Sequence, residues 1–368
     1  MDIFVLDSGF NQIGIVDIFE SFIWTERYAK PGDFELQVPR TKENLNLLKK
    51  DNWLEILDSK KTMCIETIEP DMNDGSKLLV KGRSLESILE RRVHATVAYL
   101  PVRMNNICYQ LAQDNFINPV NTNRKISNFT WVNATDADLV ELDLEDEEVR
   151  FGENVLDIVQ KLCENFNIGF RIHRRVSDNF LVWEIYNADD RSWGNEWNNP
   201  PIVFSPDLDN ISDNSYIEDS SVWKNVALVG GQVLSETSRY YDWVGLHAPT
   251  GIGRREMFVD KNDFSADQET DANGNLIPLT DAEWNTYHRK LRRMGKDELY
   301  KNPISRVYDG TIDMSRSYKY GVDFFLGDIV QFVNRDELAF KAQIVEFIRS
   351  YTNTGVNAYP TFKVLEDS

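Results

Sequence analysis

The sequence predicts an α+β fold that is mainly β, with two similar β-barrel-like domains, an α+β domain between them, and an inserted segment that contains a helix. One observation is a hairpin pattern of apolar residues that occurs twice, once near each end of the chain. Another is that helical spacing of apolar residues is concentrated in the middle of the chain and in a segment near residue 290. A chain of 368 residues also exceeds a single core of ordinary size, so two to four domains are expected.

The duplicated hairpin is the centre of this prediction. Its first copy runs through residues 52–58 and 65–69, and its second copy through residues 328–334 and 342–346. In both copies two runs rich in aliphatic and aromatic residues flank a charged turn, and the turns differ by one residue in length. Each copy also has a predicted strand upstream. These strands are carried by Phe22, Trp24, Phe34, Leu36 and Val38 in the first copy and by Tyr216, Val222, Trp223, Val226, Leu228 and Val229 in the second. A true duplication gives one chain two similar β units; the alternative is that any two β-hairpins look alike.

Residues 1–95 are predicted to form the first β domain. Strands at residues 3–6 and 13–18 flank a turn at residues 7–11, which is a hairpin signal. The strand spacing in this region favours a small closed or nearly closed barrel. A short helix is predicted at its end, over residues 84–91.

Residues 96–200 are predicted to form the α+β domain. Apolar residues at helical spacing follow Pro101, a residue that suits the start of a helix. A second helical pattern follows Asn154, whose side chain is suited to capping a helix. Two alternating strands, at residues 170–173 and 181–185, would be covered by that helix.

Residues 201–232 and 305–368 are predicted to form the second β domain. A Pro-Pro pair directly before this domain indicates a linker. Residues 233–304 interrupt its strand pattern and are therefore predicted to be an inserted segment. Within it, Thr280 begins a capping-box sequence that predicts the start of a helix.

The composition limits the classes of function. Hydrophobic residues make up 42% of the chain and aromatic residues 12%, which is enough to fill such cores. The formal net charge of −20 argues against a protein that grips nucleic acid, because phosphate binding needs a surplus of Lys and Arg. An acidic wall would still allow DNA to slide past it.

The cysteines and the termini carry further expectations. Cys64, Cys108 and Cys163 lie far apart and fit neither a disulfide framework nor a metal site. Cys64 and Cys163 lie in apolar patterns and are expected to be buried thiols. No apolar run is long enough to span a membrane and no signal peptide is indicated, so we expect synthesis in the cytoplasm and no membrane anchor.

Carboxylates and histidines are the candidates for catalysis. The acidic run at residues 136–148 is interleaved with single leucines, which is typical of the solvated side of a strand. The histidines are His94, His173, His247 and His288, and none has a second ligand at metal spacing. A Ser-His-Asp site assembled from distant residues stays open, although the chain has no Gly-x-Ser-x-Gly elbow.

Three shorter motifs resemble binding sites without completing one. Residues 271–275 are similar to the first half of a calcium loop, but the Glu at the twelfth position is missing. Residues 245–253 are rich in glycine, yet no Gly-Lys-Ser/Thr follows, as a phosphate loop requires. The aromatic cluster of Tyr240, Tyr241 and Trp243 suits stacking on a sugar or peptide, although packing at a subunit contact is favoured. No catalytic, cofactor-binding or metal-ligating residue is predicted.

A series of short sequences occurs in a fixed order along nearly the whole chain. They lie at residues 24–28, 32–36, 81–85, 189–192, 203–205, 225–231 and 295–299. Together with the domain order, they resemble the tail-hub proteins of siphophages, the structural part of tail-associated lysins. The resemblance extends more distantly to the baseplate hub of contractile-tailed phages and the base of type VI secretion spikes.

This resemblance implies a homotrimer in the virion tail tip. Two similar domains per chain would give a pseudo-sixfold ring that matches the hexameric tail tube above and a threefold tip below. The expected partners are a distal tail or tail tube protein, the tape-measure protein and tip or receptor-binding proteins, while DNA passes without specific binding. The candidate inter-subunit or tube contacts are Trp53, Ile56, Ile329, Phe332, Tyr240, Tyr241 and Trp243.

The resemblance also implies that the protein is not an enzyme. After Val364 the sequence ends at Ser368, which leaves no room for the C-terminal lytic domain of the lysin members. Two other functions stay open. One is a cell-wall glycosidase or peptidase that uses carboxylates or His173 of the α+β domain. The other is a host-surface carbohydrate-binding module that uses the aromatic cluster.

Overall fold

The computed structural model of the chain describes residues 1–72, 74–95, 103–144, 151–235, 237–266, 268, 271, 273, 277–302, 304–312, 318–333, 339–352 and 355–365. These residues divide into two units. Unit 1 comprises residues 1–215 and 308–368, and unit 2 comprises residues 216–307. The predicted boundaries of the smaller domains within this division stay a prediction.

The N-terminal part of unit 1 is built from antiparallel strands. They are β1 (Ile3–Leu6), β2 (Gln12–Val16), β3 (Ser21–Arg27), β4 (Asp33–Pro39), β5 (Trp53–Ile56), β6 (Thr62–Pro70) and β7 (Lys77–Ser84), with helix α1 (Lys42–Leu47) before β5. The side chains of β4 and β7 alternate between buried and partly exposed, which is the pattern of a sheet with one face on a core. A 3-10 helix, Leu85–Arg91, follows β7 where the sequence predicts a short helix.

The middle of unit 1 contains the helices that the sequence predicts. Its elements are α2 (Met104–Ala112) with a π-helical extension (Gln113–Ile117), a 3-10 turn (Thr122–Arg124), β8 (Phe129–Trp131), α3 (Ala137–Glu141), α4 (Val155–Asn165), β9 (Gly169–Arg175) and β10 (Phe180–Tyr186). The Asn154 side chain accepts a hydrogen bond from the Leu156 amide at 2.9 Å, so the predicted cap is confirmed. The two strands predicted there are present as β9 and β10, which pair antiparallel, and β8 joins β10 in parallel.

The chain then forms three strands that lead to unit 2. They are β11 (Asp190–Arg191), β12 (Val203–Phe204) and β13 (Ile211–Asp219). Unit 2 contains β14 (Val226–Ser235), β15 (Ser238–Gly245), β16 (Glu256–Asp260) and helix α5 (Asp281–Tyr300). The capping box predicted at Thr280 is present, with both of its reciprocal hydrogen bonds to Glu283. Tyr287 and Leu291 of α5 lie in the same buried cluster as Val229 of β14.

Four strands complete the chain, and the first of them begins in the last residues of unit 2. They are β17 (Ser305–Ile312), β18 (Ile329–Val333), β19 (Ala339–Thr352) and β20 (Gly355–Val364). Strand β19 is 14 residues long and pairs with three strands. Its first part pairs with β18, its second part pairs with β3, and β20 runs along its other side.

The 12-stranded sheet of unit 1 contains both predicted hairpins, whereas β13, β14 and β17, which fall in the predicted second β domain, lie in other sheets. Its strand order is β11-β18-β19-β3-β4-β7-β6-β5-β1-β2, with β12 also on β18 and β20 also on β19. The predicted mainly β class with additional helices is confirmed. The pairings of the described residues do not close a barrel, however, because β19 continues past β18 and joins the two β units edge to edge.

Two local predictions were wrong. Residues from Asp136 onward begin helix α3 rather than a strand, since Asp136 caps that helix by accepting the Leu139 amide at 3.2 Å. Residues 145–150 of the same acidic run lie outside the described residues. The strand predicted upstream of the second hairpin is also misplaced, because Val226 and Val229 lie in β14 and pair with β15 and β16.

The three cysteine thiols are free and buried, as the sequence predicts for Cys64 and Cys163. Burial raises the pKa of the Cys108 thiol to about 12. These thiols therefore serve as core side chains. Cys108 and Cys163 pack with Trp183 and Phe170 in the largest apolar cluster of the α+β part.

Gly82 of β7 allows the close contact between β7 and β6. A Cβ atom at this position would overlap the Cys64 carbonyl oxygen and the Phe34 ring. We therefore expect Gly82→Ala to lower the free energy of unfolding of unit 1 by about 1–3 kcal/mol, the usual cost of overpacking. Thermal unfolding followed by circular dichroism would measure the change.

Gly75→Ala is the matched control for this prediction. Gly75 lies in the turn before β7, and a Cβ there would meet no atom within 4 Å. Its melting temperature should stay at the wild-type value. Equal melting temperatures for the two variants would contradict the packing argument.

Candidate assembly interface

Two three-stranded antiparallel parts of the 12-stranded sheet share the same register, and they contain the duplicated hairpins. The first is β5-β6-β7 and the second is β18-β19-β20. We call the strand that comes first in each hairpin, β5 or β18, its leading strand. The first residue of the leading strand is Trp53 in the first copy, where it pairs with Cys64, and Ile329 in the second copy, where it pairs with Gln343. Both predicted hairpins are therefore present, with Trp53 and Ile329 at equivalent positions.

A β-bulge occurs at the equivalent position of both copies. In the pairing of β6 with β7, the register shifts between Ile65 and Thr67, so that Glu66 is the extra residue. In the pairing of β19 with β20, it shifts between Ile344 and Glu346, so that Val345 is the extra residue. Each bulge begins at the residue that follows the partner of the leading strand's first residue, which is Ile65 after Cys64 in the first copy and Ile344 after Gln343 in the second. Because a bulge bends its strand and increases the twist, both sheets bend at the same point.

The turn that enters each leading strand is also repeated. Asp51 has a φ of 67° and Gly327 a φ of 92°, so both turns place a residue in the left-handed region two positions before the strand. The Asp51 amide donates to the Ile65 carbonyl at 2.9 Å, and the Gly327 amide donates to the Ile344 carbonyl at 2.7 Å. A chance resemblance of two hairpins does not account for a shared bulge and a shared entry turn. The duplication that the sequence predicts is thus present in this part of the structure.

The copies differ in the length of the hairpin. Trp53 and Cys64 are 11 positions apart, whereas Ile329 and Gln343 are 14 positions apart, so the second hairpin is three residues longer rather than one. The strand pair ahead of each hairpin differs more. The first copy has β3 paired with β4, and the second has β13 paired with β17, with most of unit 2 between them in the chain.

The two copies meet where β3 pairs with β19. Seven residue pairs join these strands, from Glu346↔Arg27 to Thr352↔Ser21. This pairing brings together residues that lie more than 300 positions apart in the chain. This pairing, which we call the seam, makes one sheet out of the two β units.

A buried ion pair lies in the seam. The Arg349 guanidinium donates to the Glu26 carboxylate, and the two side chains are only 9% and 7% exposed. The Glu26 carboxylate also accepts from the Tyr320 hydroxyl at 3.2 Å, and Arg349 donates to the Asp58 carbonyl at 2.8 Å. These contacts satisfy both charges inside the protein, as a buried pair requires.

Arg27 and Tyr28 extend the seam at the end of β3. Arg27 donates to Glu346 at 2.6 Å and to Asp33 at 2.7 Å. The Tyr28 amide donates to the Val345 carbonyl at 3.0 Å, which continues the β3–β19 ladder past the last pair. Arg27 thus connects its own hairpin with the opposite strand of the seam.

The Tyr28 side chain connects the seam with the α+β part. Its hydroxyl donates to the Asn167 carbonyl at 3.2 Å, and its ring lies edge-on to Tyr186 at 5.4 Å. Gly169 and Gly327 leave room for this ring, because a Cβ atom at either position would overlap it. Burial raises the pKa of the Tyr28 hydroxyl well above its ordinary value, so it stays protonated and remains a donor.

A second set of charges joins the α+β part with the first hairpin. Arg174 of β9 makes two hydrogen bonds to Glu55 of β5, at 2.7 and 2.6 Å. Lys61 and Glu86 form another buried ion pair, and Glu86 also accepts from the Ile172 amide at 3.1 Å. The parts of unit 1 are therefore connected by polar contacts as well as by apolar packing.

The predicted contact residues of the two hairpins are mostly inside the chain. Trp53, Ile56 and Phe332 are 6%, 4% and 0% exposed, and Ile329 is partly buried. Trp53 stacks on Phe10 with ring centres 5.1 Å apart. These side chains therefore stabilise the chain itself, and a role in contacts between subunits stays a prediction for them.

The aromatic cluster of unit 2 is divided between the two faces of its sheet. Tyr240 packs against Trp284 of α5, with ring centres 5.0 Å apart. Tyr241 and Trp243 lie on the opposite face and are 57% and 41% exposed. Arg254 lies over the Trp243 ring at 5.0 Å. Their use in binding stays a prediction.

Two of the histidines lie beside carboxylates of the same chain. Burial lowers the pKa of His173, so this imidazole is mostly neutral at pH 7, and its Nδ1 lies 3.4 Å from Glu184. The His288 Nδ1 lies 2.9 Å from Asp242, which also accepts from Arg292 at 2.7 Å. His94 is buried, and His247 has a φ of 55°.

A cavity of about 400 Å³ beside the first bulge is lined by several carboxylates. Each of them has a basic partner: Arg27 lies 2.7 Å from Asp33, Lys81 lies 3.3 Å from Glu35, and Arg83 lies 2.8 Å from Glu66. Among the residues that the structure describes, no group of three or more His, Cys, Asp or Glu could hold a metal ion. The calcium-like loop is only partly described, at residues 271 and 273.

No helix in the described ranges combines the length and apolar character that a membrane span requires.

The seam could not be identified from sequence periodicity, although one signal was present. In β19 the buried residues Phe347, Arg349 and Tyr351 share one face, so a single charge lies in an otherwise aromatic row. The facing strand repeats this arrangement with Phe22, Trp24 and Glu26. Glu26 lies opposite Phe347 and Arg349 opposite Trp24, so the two charges are diagonal neighbours on the shared face. Single opposite charges in two apolar rows indicate strands that pair.

Comparisons with known proteins place the chain beside phage proteins. The profile of a family described as Siphovirus ReqiPepy6 Gp37-like protein matches residues 2–362. A search of curated proteins found no match. Among solved structures, the prophage tail protein gp18 from Listeria monocytogenes EGD-e is similar, with 14% identity and a TM-score of 0.52 over 100% of this chain and 95% of that one.

Two further tail proteins have similar folds. The prophage MuSo2 43 kDa tail protein from Shewanella oneidensis has 12% identity and a TM-score of 0.56, over 100% of this chain and 98% of that one. The tail protein from Neisseria meningitidis MC58 has 12% identity and a TM-score of 0.57, over 99% of this chain and 96% of that one. At these identities the comparison establishes a shared fold over the full length of the chain.

The buried ion pair of the seam gives a quantitative prediction. Arg349→Met leaves the Glu26 carboxylate buried without its cation, so we expect the free energy of unfolding to fall by about 3–5 kcal/mol. The double variant Glu26→Gln/Arg349→Met should recover a large part of this loss, because both charges are then removed. Urea unfolding followed by fluorescence would give the three values.

Arg175→Met is the control, because Arg175 and Asp178 form an exposed ion pair with side chains 48% and 42% exposed. Removal of that pair should cost less than about 1 kcal/mol. A double variant that is less stable than Arg349→Met would contradict the claim that the loss comes from an unpaired Glu26 carboxylate.

Proposed function

Because the chain belongs to the family of Siphovirus ReqiPepy6 Gp37-like proteins, we propose that it is a structural component of a phage tail and forms the hub at the tail tip. The shared fold with three tail proteins over the full chain supports the tail assignment. The internal duplication supports the more specific role of a hub.

The duplication is the observation that carries this proposal. One chain contains two β units with the same hairpin register, the same bulge and the same entry turn. Three copies of the chain would therefore supply six similar β units around one axis. Closed rings satisfy repeated interfaces without leaving sheet edges open, which favours a homotrimeric ring over an open chain of subunits.

A ring of this kind would adapt two symmetries. Its six β units would match the hexameric tail tube, and its true threefold axis would match a trimeric tip. The proposed partners are a distal tail or tail tube protein on one side and tip or receptor-binding proteins on the other. The tape-measure protein would end at the hub, inside the virion tail.

The charge of the chain suits a passage for DNA. A net charge of −20 per chain would be −60 in a trimer, and like charges repel the phosphate backbone. DNA would then leave through the hub without binding to its wall. In this proposal the hub acts as a gate and has no enzymatic activity.

A carbohydrate-binding role is the second candidate, because Tyr241 and Trp243 are exposed on one face of unit 2. Exposed aromatic rings stack on sugars as well as on proteins. Binding to purified host cell-wall glycans, lost in Tyr241→Ala/Trp243→Ala, would support that role. The enzyme alternative has less support, because Glu184, the carboxylate beside His173, is already paired with Arg171 at 2.7 Å.

The oligomeric state tests the proposed function. Light scattering of the purified chain over a range of concentrations should give three times the chain mass of 42.7 kDa, or a monomer that converts to this trimer as concentration rises. The expected reason is that each chain offers two complementary sheet edges. A stable dimer would contradict the ring.

Co-assembly with the tube protein of the same phage completes the test. The tube protein should bind the trimer and elute with it in size-exclusion chromatography, and the tube protein of an unrelated phage is the control. A chain that stays monomeric at every concentration and does not bind the tube protein would contradict the proposed function.

A further inference from the structure

Strand β6 has an open edge where its counterpart in the second copy is covered. Strand β5 pairs with β6 as far as Cys64, and β7 runs along the other side of β6 as far as Pro70. Beyond the bulge, no described strand lies beside residues 67–70 on the side of β5. Three of these residues, Thr67, Glu69 and Pro70, are exposed.

The equivalent edge of β19 is covered by β3. After the shared bulge, Thr67 corresponds to Glu346, and Pro70 corresponds to Arg349. Residues 346–352 of β19 pair with β3 on the side of β18. Arg349 is therefore buried, whereas its counterpart Pro70 is exposed. The two edges have the same register and the same position after the bulge. Only the edge of β19 has a strand paired with it.

We propose that the open edge of β6 pairs with strand β13 of a second copy of this chain. This inference rests on the proposed hub and names the strands that would join its subunits. In the first copy of the duplication, the strand that pairs with a neighbouring unit is β3. In the second copy, the strand at the same place in the chain order is β13.

The order of elements supports the choice of β13. Strand β3 precedes its partner β4 and the first hairpin, and β13 precedes its partner β17 and the second hairpin. Most of unit 2 lies between β13 and β17 in the chain, at the place of the short β3–β4 turn. In the described residues β13 has β17 as its partner strand, so its other edge is available.

The contact inside one chain thus serves as a template for the contact between chains. Within a chain, β3 of the first unit pairs antiparallel with β19 of the second unit. Between chains, β13 of a second unit would pair antiparallel with β6 of the next first unit. Alternation of the two contacts closes a ring of six units from three chains.

The open edge is suited to a contact that forms only on assembly. It is four residues long, and short edge strands limit unwanted pairing with other proteins. The Glu69 carboxylate lies 3.8 Å from the Lys81 ammonium group, and the Glu66 carboxylate lies 2.8 Å from the Arg83 guanidinium. Charged side chains therefore lie next to this edge. Main-chain hydrogen bonds would supply the contact, as in other cases of strand addition.

Disulfide crosslinking tests the pairing. Thr67→Cys would be combined with one cysteine at a time at positions 212–218, in the full-length chain, and oxidised at a protein concentration at which light scattering gives the trimer mass. Residues directly opposite in an antiparallel pair have Cβ atoms about 4.5–5.5 Å apart, so crosslinking should peak at one position and alternate along β13. At the peak, the monomer band should convert to a covalent trimer with no larger product.

Thr130→Cys, on the sheet edge formed by β8, is the matched control for Thr67→Cys and should give no covalent trimer with the same cysteines. The native cysteines are buried and should not contribute. Disulfides that form within one chain would overturn the inference. A trimer by light scattering without any covalent trimer would also overturn it, and the proposed ring would then need other contacts. Absence of association by both methods would overturn the inference and the proposed function together.

Discussion

The seam between β3 and β19 is the contact on which the rest of unit 1 depends. It joins residues more than 300 positions apart, so the chain must close a long loop before the pairing contributes to stability. The buried Glu26 and Arg349 side chains make its register specific, because a shifted pairing would leave a charge buried without a partner. Tyr28 then fixes the α+β part against the same seam.

Local features of this fold could be predicted from the sequence. The two hairpins, the cap at Asn154 and the capping box at Thr280 depend on residues a few positions apart, so each leaves a readable pattern. The mainly β class followed from these elements. The buried thiols were predictable because apolar neighbours surround Cys64 and Cys163 in the sequence.

Long-range features were not predictable in the same way. Strand β19 pairs with β3 through main-chain atoms, which any sequence provides, so periodicity did not show that the two β units share a sheet. Asp136 begins the acidic run at residues 136–148, a pattern typical of the solvated side of a strand, although its carboxylate caps α3. The bulges at Glu66 and Val345 became visible only through the register of the third strand.

The account depends most on the claim that the chain supplies two equivalent units to one ring. Electron cryomicroscopy of the purified assembly at side-chain resolution would test it most directly. We predict a threefold particle in which β5-β6-β7 and β18-β19-β20 alternate at the same radius around the axis. A particle with another symmetry, or one with the two sheets at different radii, would contradict the account.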